Sequence, residues 1–154
     1  MQSLKELIIR YAKPGQLDWI GLRPARRAEM VSVPQVVIGP RGLDGDHGAS
    51  DKRAVTLIQA EHLPVIGAML GREVEAAMLR RNLLVSGLNL AALKGREIRI
   101  GETVLEITSI CAPCSRMEET LGHGGYSAMR GHGGWCARVV AGGLVTLQDT
   151  VTPL

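Results

Sequence analysis

Short aliphatic segments recur along this chain at close spacing, and this pattern constrains the fold more than any other feature of the sequence. Most are bounded by Gly, Pro, Asn or Asp, and they read LKELIIR, LDWIGLR, PQVVIG, RAVTLI, NLLVSG, REIRIG, TVLEITSI, CARVVAG and LVTLQD. Segments of this length and composition are typical of β-strands joined by tight turns. A chain of 154 residues built this way predicts one mainly β domain, residues 1–154, that closes as a curled sheet or barrel with few helices.

Helical signals are fewer. The segment Gln59–Leu70 predicts one helix although Pro64 lies within it, and residues 72–78 predict its continuation. A shorter helix is expected over Ser115–Leu121, with its first residue as N-cap and Glu118 as the capping-box partner.

The motif Gly-His-Gly-Gly-aromatic occurs twice, at residues 122–126 and 131–135. So many glycines predict a loop rather than a helix or strand interior. Such a loop either approaches a ligand closely through its backbone or forms a flexible hairpin tip. The sequence assigns no role to His123 or His132.

Composition excludes several classes of protein. The net charge is only +3 and aromatic residues make up 3%, so a general nucleic-acid binder, which needs a basic face and stacking rings, is not expected. No apolar run is long enough to span a membrane, and Lys5 and Glu6 interrupt the N-terminal apolar run where a secretion signal would be unbroken. Three cysteines are too few for a disulfide-stapled secreted domain, so a cytoplasmic protein is expected.

Two of the three cysteines lie in the segment SICAPCSRMEE, residues 109–119. Cys114 would lie at a helix N-terminus with Arg116 beside it, and both features stabilise a thiolate. Cys111 ends an apolar strand and is expected to be buried and inert. The residues therefore favour Cys114 as the working thiolate, either a nucleophile or a ligand for a soft metal.

Two alternatives stay open. A Cys-x-Pro-Cys segment between a strand and a helix also occurs in thioredoxin-like proteins, but there it lies early in an alternating pattern of strands and helices. The other alternative is a zinc site built from Cys111, Cys114, His123, His132 and Cys136. Only His132 and Cys136 have the short spacing of a second ligand pair, and a core of this size does not need a metal to fold.

Arginines far outnumber lysines, and they fall into three groups: Arg23 with Arg26 and Arg27, Arg53, and Arg80 with Arg81. A phosphate-bearing ligand would need two or three of them to converge. The loop of residues 43–51, LDGDHGASD, lacks the central glycine and closing glutamate of a calcium loop, so its Asp and His side chains are expected to contact a ligand or cap a turn.

Together these residues resemble the MOSC domain family, named after the C-terminal domain of molybdenum cofactor sulfurases, and in particular its small stand-alone bacterial members. The resemblance covers about residues 20–150 and is carried by GLRPARRAEM, GLDGDHGASDKRAVTLIQAEHL, LRRNLLVSG, ICAPCSRMEETLG and AMRGHGGWCARVVAGG. The Arg-Arg-Asn and Pro-Cys blocks are more specific than any lone motif.

The resemblance implies a fold of the pyruvate-kinase β-barrel type that binds the molybdenum cofactor, a phosphorylated pterin dithiolene also called molybdopterin. In members that reduce N-hydroxylated compounds a cysteine ligates molybdenum, and Cys114 is the matching position. A soft thiolate suits a sulfur-rich metal centre. The cofactor-binding residues implied in this way are His47, Arg53, Thr56, Arg80, Arg81, Asn82 and Arg116. His47 stands where relatives often have arginine.

Two functional hypotheses follow. In the first, the protein is a molybdenum-dependent oxidoreductase that acts on N-oxygenated small molecules and receives electrons from a separate protein, because the chain has no flavin, haem or iron–sulfur signature. In the second, it is a sulfur carrier with a persulfide on Cys114, or a binding module without turnover. Pyridoxal phosphate is not expected, because the chain has no room for the desulfurase domain that binds it in sulfurases.

Overall fold

The computed structural model describes residues 1–48 and 50–154, so Ala49, in the loop compared above with a calcium site, lies outside the described residues. In chain order the strands are β1 (Gly15–Leu22), β2 (Val31–Ser32), β3 (Gln35–Gly39), β4 (Gly42–Leu43), β5 (Val55–Gln59), β6 (Leu83–Ser86), β7 (Glu97–Ile100), β8 (Thr103–Ile110), β9 (Trp135–Ala141), β10 (Gly143–Thr146) and β11 (Thr150–Pro153). The helices are α1 (Leu4–Ile8), α2 (His62–Leu70), α3 (Ala76–Leu79), α4 (Ser115–Leu121) and α5 (Gly125–Met129). Short 3-10 turns cover Asp51–Arg53 and Leu90–Leu93.

Seven strands close into a barrel. Around the ring the order is β1, β11, β7, β8, β9, β5, β6, and β6 pairs again with β1. Every neighbouring pair is antiparallel except β5 and β6, which are parallel and are connected through α2 and α3. The strands β10, β3 and β4 form a small second sheet. The mainly β, barrel-type fold expected from the sequence is confirmed.

The barrel strands bury two separate cores. Side chains such as Leu17, Leu57 and Leu105 are fully buried and belong to the larger core, and each contributes about 2 kcal/mol by leaving water. On β5 the next residue, Ile58, points to the opposite face, where it packs with Ile66 of α2 and other side chains of the helices. β5 is therefore buried on both faces and fixes the helices against the barrel.

The N-terminal segment predicted as a strand is the helix α1, so that prediction is wrong. Ser3 and Glu6 form a capping box: the Ser3 hydroxyl accepts from the Glu6 backbone N–H at 3.2 Å, and the Glu6 carboxylate accepts from the Ser3 backbone N–H at 2.9 Å. This reciprocal pair satisfies two N–H groups of the first turn and favours a helix over the strand that the aliphatic residues suggest.

The helix predicted over Gln59–Leu70 begins only at His62, because Gln59 completes β5. Pro64 lies in the first turn, where its missing N–H removes no helical hydrogen bond. Gly71 then ends the helix in the left-handed conformation, with φ +74°, so the predicted continuation over residues 72–78 is wrong and α3 is a separate turn.

The glycine-rich segment contains a helix, α5, that the sequence did not predict. The carboxylate of Glu118 accepts hydrogen bonds from the backbone N–H groups of Gly124 and Tyr126, each at 2.9 Å, and caps the start of α5. Glu118 was expected to cap its own helix instead. That helix, α4, has the predicted bounds, but its N-cap is Cys114 rather than Ser115.

One rim of the barrel collects the residues that the sequence singled out. Five strand ends meet at this rim: the ends of β1 and β8 and the starts of β5, β6 and β9. Cys136 of β9, for example, pairs with Thr56 of β5 on one side and with Ser109 of β8 on the other. Among the helices of the described residues, none combines the length and the apolar character needed to cross a lipid bilayer.

Candidate functional site

Two hollows open side by side on this rim and share one arginine, Arg23. The arginine hollow, of 260 Å³, is lined by Arg23, Arg26, Arg27, Arg80, Arg81, Cys114, Ser115, Arg116 and Met117. The thiol hollow, of 310 Å³, is lined by Arg23, Gly48, Ser50, Arg53, Thr56, Ile110, Cys111, Ala112 and Cys136. Hollows of 490 Å³ beside α2 and beside β4 are larger, but no thiol lines either of them within the part of the chain described.

Positive charge dominates the arginine hollow. Of the guanidinium groups around it, only those of Arg23 and Arg27 have a carboxylate partner among the described residues. The pair between Arg27 and Glu119, at 3.5 Å, is exposed on both sides and therefore contributes little to stability. The hollow thus has more cationic groups than the protein neutralises, which is the electrostatic character of an anion site.

Arg80 shows most clearly that the arginine hollow lacks a partner. Its Nη1 donates to the carbonyl of Ala28 at 2.6 Å, whereas its Nη2 is buried and has no hydrogen-bond partner within the described residues. Burial, together with the nearby charges of Arg116 and Arg23, lowers the pKa of Arg80 from its ordinary value. A bound anion would supply the missing acceptor and relieve the repulsion.

Two residues of the arginine hollow have a strained backbone. Arg27 and Arg80 have φ values of +63° and +58°, the left-handed region that residues other than glycine rarely adopt. Such a conformation costs about 1 kcal/mol or more for each residue. Both arginines are held over the hollow at the expense of stability.

Arg81 has a different task from its neighbour. It is buried, and its guanidinium donates to three backbone carbonyls: Gly133 at 2.7 Å, Cys111 at 3.1 Å and Leu79 at 3.2 Å. These bonds tie the glycine-rich segment and the cysteine segment to the start of β6. The sequence placed Arg81 among the cofactor-binding residues, whereas the structure uses it chiefly as an internal brace.

Asp46 and Arg23 form the ion pair that separates the two hollows. The Asp46 carboxylate, which is 0% exposed, accepts from the Arg23 side chain at 2.9 and 3.1 Å and from its backbone N–H at 2.7 Å. Burial alone would raise the pKa of Asp46, but the hydrogen bonds and charge of Arg23 outweigh it and hold that pKa below its usual value. Asp46 therefore stays ionised and fixes Arg23.

His47 and Asn82 support this ion pair and do not line either hollow. The ring of His47 is directed to the backbone, and its Nδ1 lies 2.9 Å from the carbonyl of Arg23. Asn82 is fully buried, and its amide group donates to the Gly21 carbonyl at 3.0 Å and to the Asp46 carboxylate at 3.3 Å. The side chain of Asn82 thus lies beneath the rim, and its bond to the carboxylate connects it to the hollows through Asp46.

Thr56 and Arg53 lie in the thiol hollow, away from Arg80 and Cys114. The Thr56 hydroxyl accepts from the Asn82 backbone N–H at 2.9 Å and lies 3.1 Å from the Asn82 side-chain oxygen, so its hydrogen bonds are already used. Arg53 is exposed at the edge of the hollow. The residues implied to bind the cofactor are therefore divided between two hollows, and among the described residues Arg23 lines both.

Cys114 is exposed. None of the three cysteines forms a disulfide within the described residues. It lies at the start of α4 and faces the arginine hollow together with Arg116. A thiol in this position is open to solvent and surrounded by cations. The structure therefore leaves Cys114 accessible, and its role as a nucleophile or metal ligand stays a prediction.

Cys111 differs from the expectation of a buried, inert residue. It lines the thiol hollow, and a hydrogen bond from the Cys136 thiol lowers the pKa of Cys111 to about 6; burial opposes the shift, and the charges of Arg81, Arg23 and Arg53 support it. Cys136 is nearly buried, and the Cys111 sulfur and burial both raise its pKa. Cys111 is therefore a second candidate nucleophile, which the sequence did not indicate.

The histidines do not complete a metal site with the cysteines. His132 packs edge-to-face against His62, with ring centroids 5.0 Å apart. Within residues 1–48 and 50–154 no three His, Cys, Asp or Glu side chains are grouped closely enough to hold a metal ion. The glycine-rich loop also does not line either hollow in the way expected, since the Gly134 backbone packs tightly against the backbone of Leu57.

Sequence reasoning missed two residues of the site, Asp46 and Cys136. Asp46 was noted only as a loop acid, because its partner Arg23 lies in another segment. Cys136 was weighed only as a zinc ligand. The signal for it was the alternation of side chains on β8 and β9, which places Cys111 and Cys136 on one face once their register is known.

Comparison with known proteins identifies a sequence family and several proteins of similar fold. The sequence model of the MOSC domain matches residues 44–152. Among solved structures, the YUAD protein from Bacillus subtilis superposes with a TM-score of 0.81 at 15% identity, over 90% of this chain and 94% of that one.

Two proteins called YiiM are also similar in fold. The one from Geobacillus stearothermophilus has a TM-score of 0.77 at 18% identity, covering 92% of this chain and 75% of its own. The one from Escherichia coli has a TM-score of 0.72 at 20% identity, covering 90% and 69%. No curated protein matches the sequence.

Proposed function

The chain belongs to the MOSC domain family, which is associated with the molybdenum cofactor, and we propose that its arginine hollow binds this cofactor with Cys114 as a ligand of the metal. The observation that carries the proposal is the buried Nη2 of Arg80, which has no partner within the described residues. A phosphate oxygen is a suitable acceptor for it. The exposed thiol of Cys114 lines the same hollow. The hollow thus offers arginines for the phosphate of the cofactor and a thiolate for its metal.

The protein's own residues divide the work of binding. Arg80 and Arg116 would hold the phosphate, because both face the hollow without a carboxylate partner among the described residues. Arg23 is fixed in place by Asp46 and would contact the ligand where it passes from one hollow toward the other. We also propose that Arg53, in the neighbouring thiol hollow, contacts the pterin end of the cofactor.

The reaction we propose is the reduction of N-oxygenated small molecules. When bound, the cofactor supplies a sulfur-ligated metal that exchanges two electrons with a substrate. Breaking the N–O bond consumes two electrons and two protons and releases water, and a separate electron-donor protein supplies the electrons. Because Cys114 is exposed, substrate and donor both have access to the hollow.

The test compares two arginine variants in a host that makes the cofactor. Arg80→Gln removes the unpartnered group, and Arg130→Gln removes an exposed arginine outside both hollows as the control. Loss of a charge-assisted bond of about 1.5–3 kcal/mol predicts a drop in cofactor occupancy of about tenfold or more for Arg80→Gln. Occupancy is measured as molybdenum by elemental analysis and as pterin by fluorescence after oxidation. Equal occupancy in the two variants would contradict the proposal.

The exposure of Cys114 also favours a second function, the transfer of sulfur. The Cys114 thiolate would attack the outer sulfur of a donor persulfide, forming a new S–S bond while the donor leaves as a thiolate. The product is a persulfide on Cys114, which intact mass spectrometry detects as a gain of about 32 Da that a reductant removes. If persulfide donors never change the mass of the protein, this second function is excluded.

A further inference from the structure

We propose that Cys111 and Cys136 form a dithiol site that reduces small peroxides and closes reversibly to a disulfide, independently of Cys114. The proposal does not rest on cofactor binding, since it concerns the thiol hollow and a different pair of sulfur atoms. Nothing in the family resemblance assigns a role to either residue.

The sheet places the two thiols on the same face. Ser109 of β8 pairs with Cys136 of β9, and Cys111 lies two residues beyond Ser109, so its side chain points to the same side. The ladder continues to Cys111, whose backbone N–H donates to the Gly134 carbonyl at 2.9 Å. Cys111 and Cys136 are therefore diagonal neighbours across two hydrogen-bonded strands.

The two thiols face the same space. Both side chains line the thiol hollow, and the neighbouring Cys136 thiol is the largest cause of the lowered pKa of Cys111. A disulfide requires the sulfur atoms to approach to about 2.05 Å, and diagonal neighbours reach this distance by side-chain rotation together with a shift of the Cys111 backbone, which lies just beyond the end of β8. Cys114 lines the other hollow, so it is not part of this pair.

The hollow also gives the pair the reactivity of a peroxide-reducing thiol. With a pKa of about 6, Cys111 is largely a thiolate at neutral pH, and it is half-buried beside the exposed Ile110, so a small oxidant reaches it. Arg53 and Arg23 lie around the same hollow and stabilise the hydroxide that leaves during the attack. Cys136 is almost sealed from solvent, which suits the second thiol of the pair.

The reaction balances in two steps. The Cys111 thiolate attacks one oxygen of hydrogen peroxide, the O–O bond breaks, and hydroxide leaves and takes up a proton as Cys111 becomes a sulfenic acid. The negative charge that raised the pKa of Cys136 is then gone, and the charges of Arg53 and Arg81 favour its thiolate. Cys136 attacks the Cys111 sulfur, the S–O bond breaks, and a second water leaves. Two thiols lose two electrons and two protons, and the peroxide gains them.

The test treats the reduced full-length protein with a small excess of hydrogen peroxide. Peptide mapping without reductant is expected to show Cys111 linked to Cys136, with an intact mass lower by about 2 Da that dithiothreitol restores. Cys114→Ser tests whether the third cysteine takes part, and peptide mapping is expected to find the link between Cys111 and Cys136 in this variant as well. Cys111→Ser consumes peroxide at least about tenfold more slowly.

Because Cys136 is nearly buried, it is replaced both by Ala and by Ser, and circular dichroism establishes that each variant is folded. In a folded Cys136 variant, dimedone is expected to trap a sulfenic acid on Cys111. A disulfide between Cys111 and Cys114, the loss of the link in Cys114→Ser, or over-oxidation of Cys111 without any link in the wild type would each overturn the proposal.

Discussion

The two hollows share Arg23 and one barrel rim, yet the protein completes one of them and leaves the other incomplete. In the thiol hollow the Thr56 hydroxyl bonds to Asn82, and the Cys136 thiol lowers the pKa of Cys111. In the arginine hollow a buried nitrogen of Arg80 has no acceptor within the described residues. On this difference we base two proposals: that the arginine hollow takes a ligand, and that the thiol hollow reacts.

The backbone shows the same difference. The arginine hollow contains two residues, Arg27 and Arg80, in the left-handed conformation, and neither is glycine. The thiol hollow instead lies where β8 pairs with β9 just beyond a bulge between Ile107 and Ser109, with Cys136 directly opposite Ser109. Arg80 is the residue that ends α3, a position where the left-handed conformation is common and glycine is usual, so an arginine there places its side chain at the hollow at a cost in backbone strain.

The largest effect on stability is expected at the contact between Gly134 and β5, which lies at the rim that both hollows share. Gly134 has φ +91°, and a methyl group there would collide with the Leu57 carbonyl of β5. The strain and the collision together predict that Gly134→Ala destabilises the protein by about 3–5 kcal/mol. Urea unfolding measures the loss.

Gly131→Ala is the control, because φ is +82° there but a methyl group meets nothing within 4 Å. It is expected to cost only about 1 kcal/mol, the backbone strain alone. Equal losses in the two variants would mean that the contact between β5 and Gly134 does not hold the rim together.

A smaller effect is expected from the ion pair shared by the hollows. Asp46→Asn keeps the shape of a buried side chain but leaves Arg23, which is 18% exposed, without its counter-charge. We expect a loss of about 2–3 kcal/mol in the free energy of unfolding at pH 7. Asp51→Asn changes an exposed acid and is expected to stay within about 0.5 kcal/mol of the wild type.

The contribution of Asp46 to the free energy of unfolding is expected to depend on pH. The pKa of Asp46 in the folded protein is below its ordinary value of 3.8, so its contribution is complete above that value and is lost as the pH falls through the lower, folded-state pKa. The stability difference between wild type and Asp46→Asn should therefore shrink below about pH 4. Urea unfolding from pH 7 to pH 2.5 checks this, and a difference that grows toward low pH would contradict it.

The smallest effect separates strain from side-chain contacts at Arg80. Arg80→Ala and Arg80→Gly lose the same guanidinium, but only glycine adopts φ +58° without cost. Arg80→Gly is expected to be more stable than Arg80→Ala by about 1 kcal/mol, the reverse of their order at an ordinary helical position. If Arg80→Ala is the more stable variant, the strain assigned to the arginine hollow is absent.

Much of the fold could be predicted because its signals are local. The segments NLLVSG, REIRIG and TVLEITSI contain their own turn residues and became β6, β7 and β8 close to the predicted bounds. The aliphatic residues of α1 favour a strand, but the capping box of Ser3 and Glu6 makes this segment a helix, so the strand prediction is wrong there. Ring closure between β1 and β11 joins opposite ends of the chain and has no local signal.

The site could be predicted only in part, for the same reason. Cys114 and Arg80 belong to compact motifs, and the structure brings them to one hollow. The lowered pKa of Cys111 depends on Cys136, which the register of β8 and β9 brings near, and this pairing cannot be deduced from either segment alone. Neighbouring residues also differ sharply: Arg80 faces the hollow, whereas Asn82 is buried beneath it.

The most direct test of the division between the hollows is the molybdenum content of two cysteine variants, Cys111→Ser and Cys114→Ser, expressed with the wild type in the same cofactor-producing host. Our account predicts that Cys114→Ser loses about tenfold or more of the molybdenum bound per protein, while Cys111→Ser stays within about twofold of the wild type. Equal loss in both variants, or loss only in Cys111→Ser, would contradict the assignment of the metal to the arginine hollow.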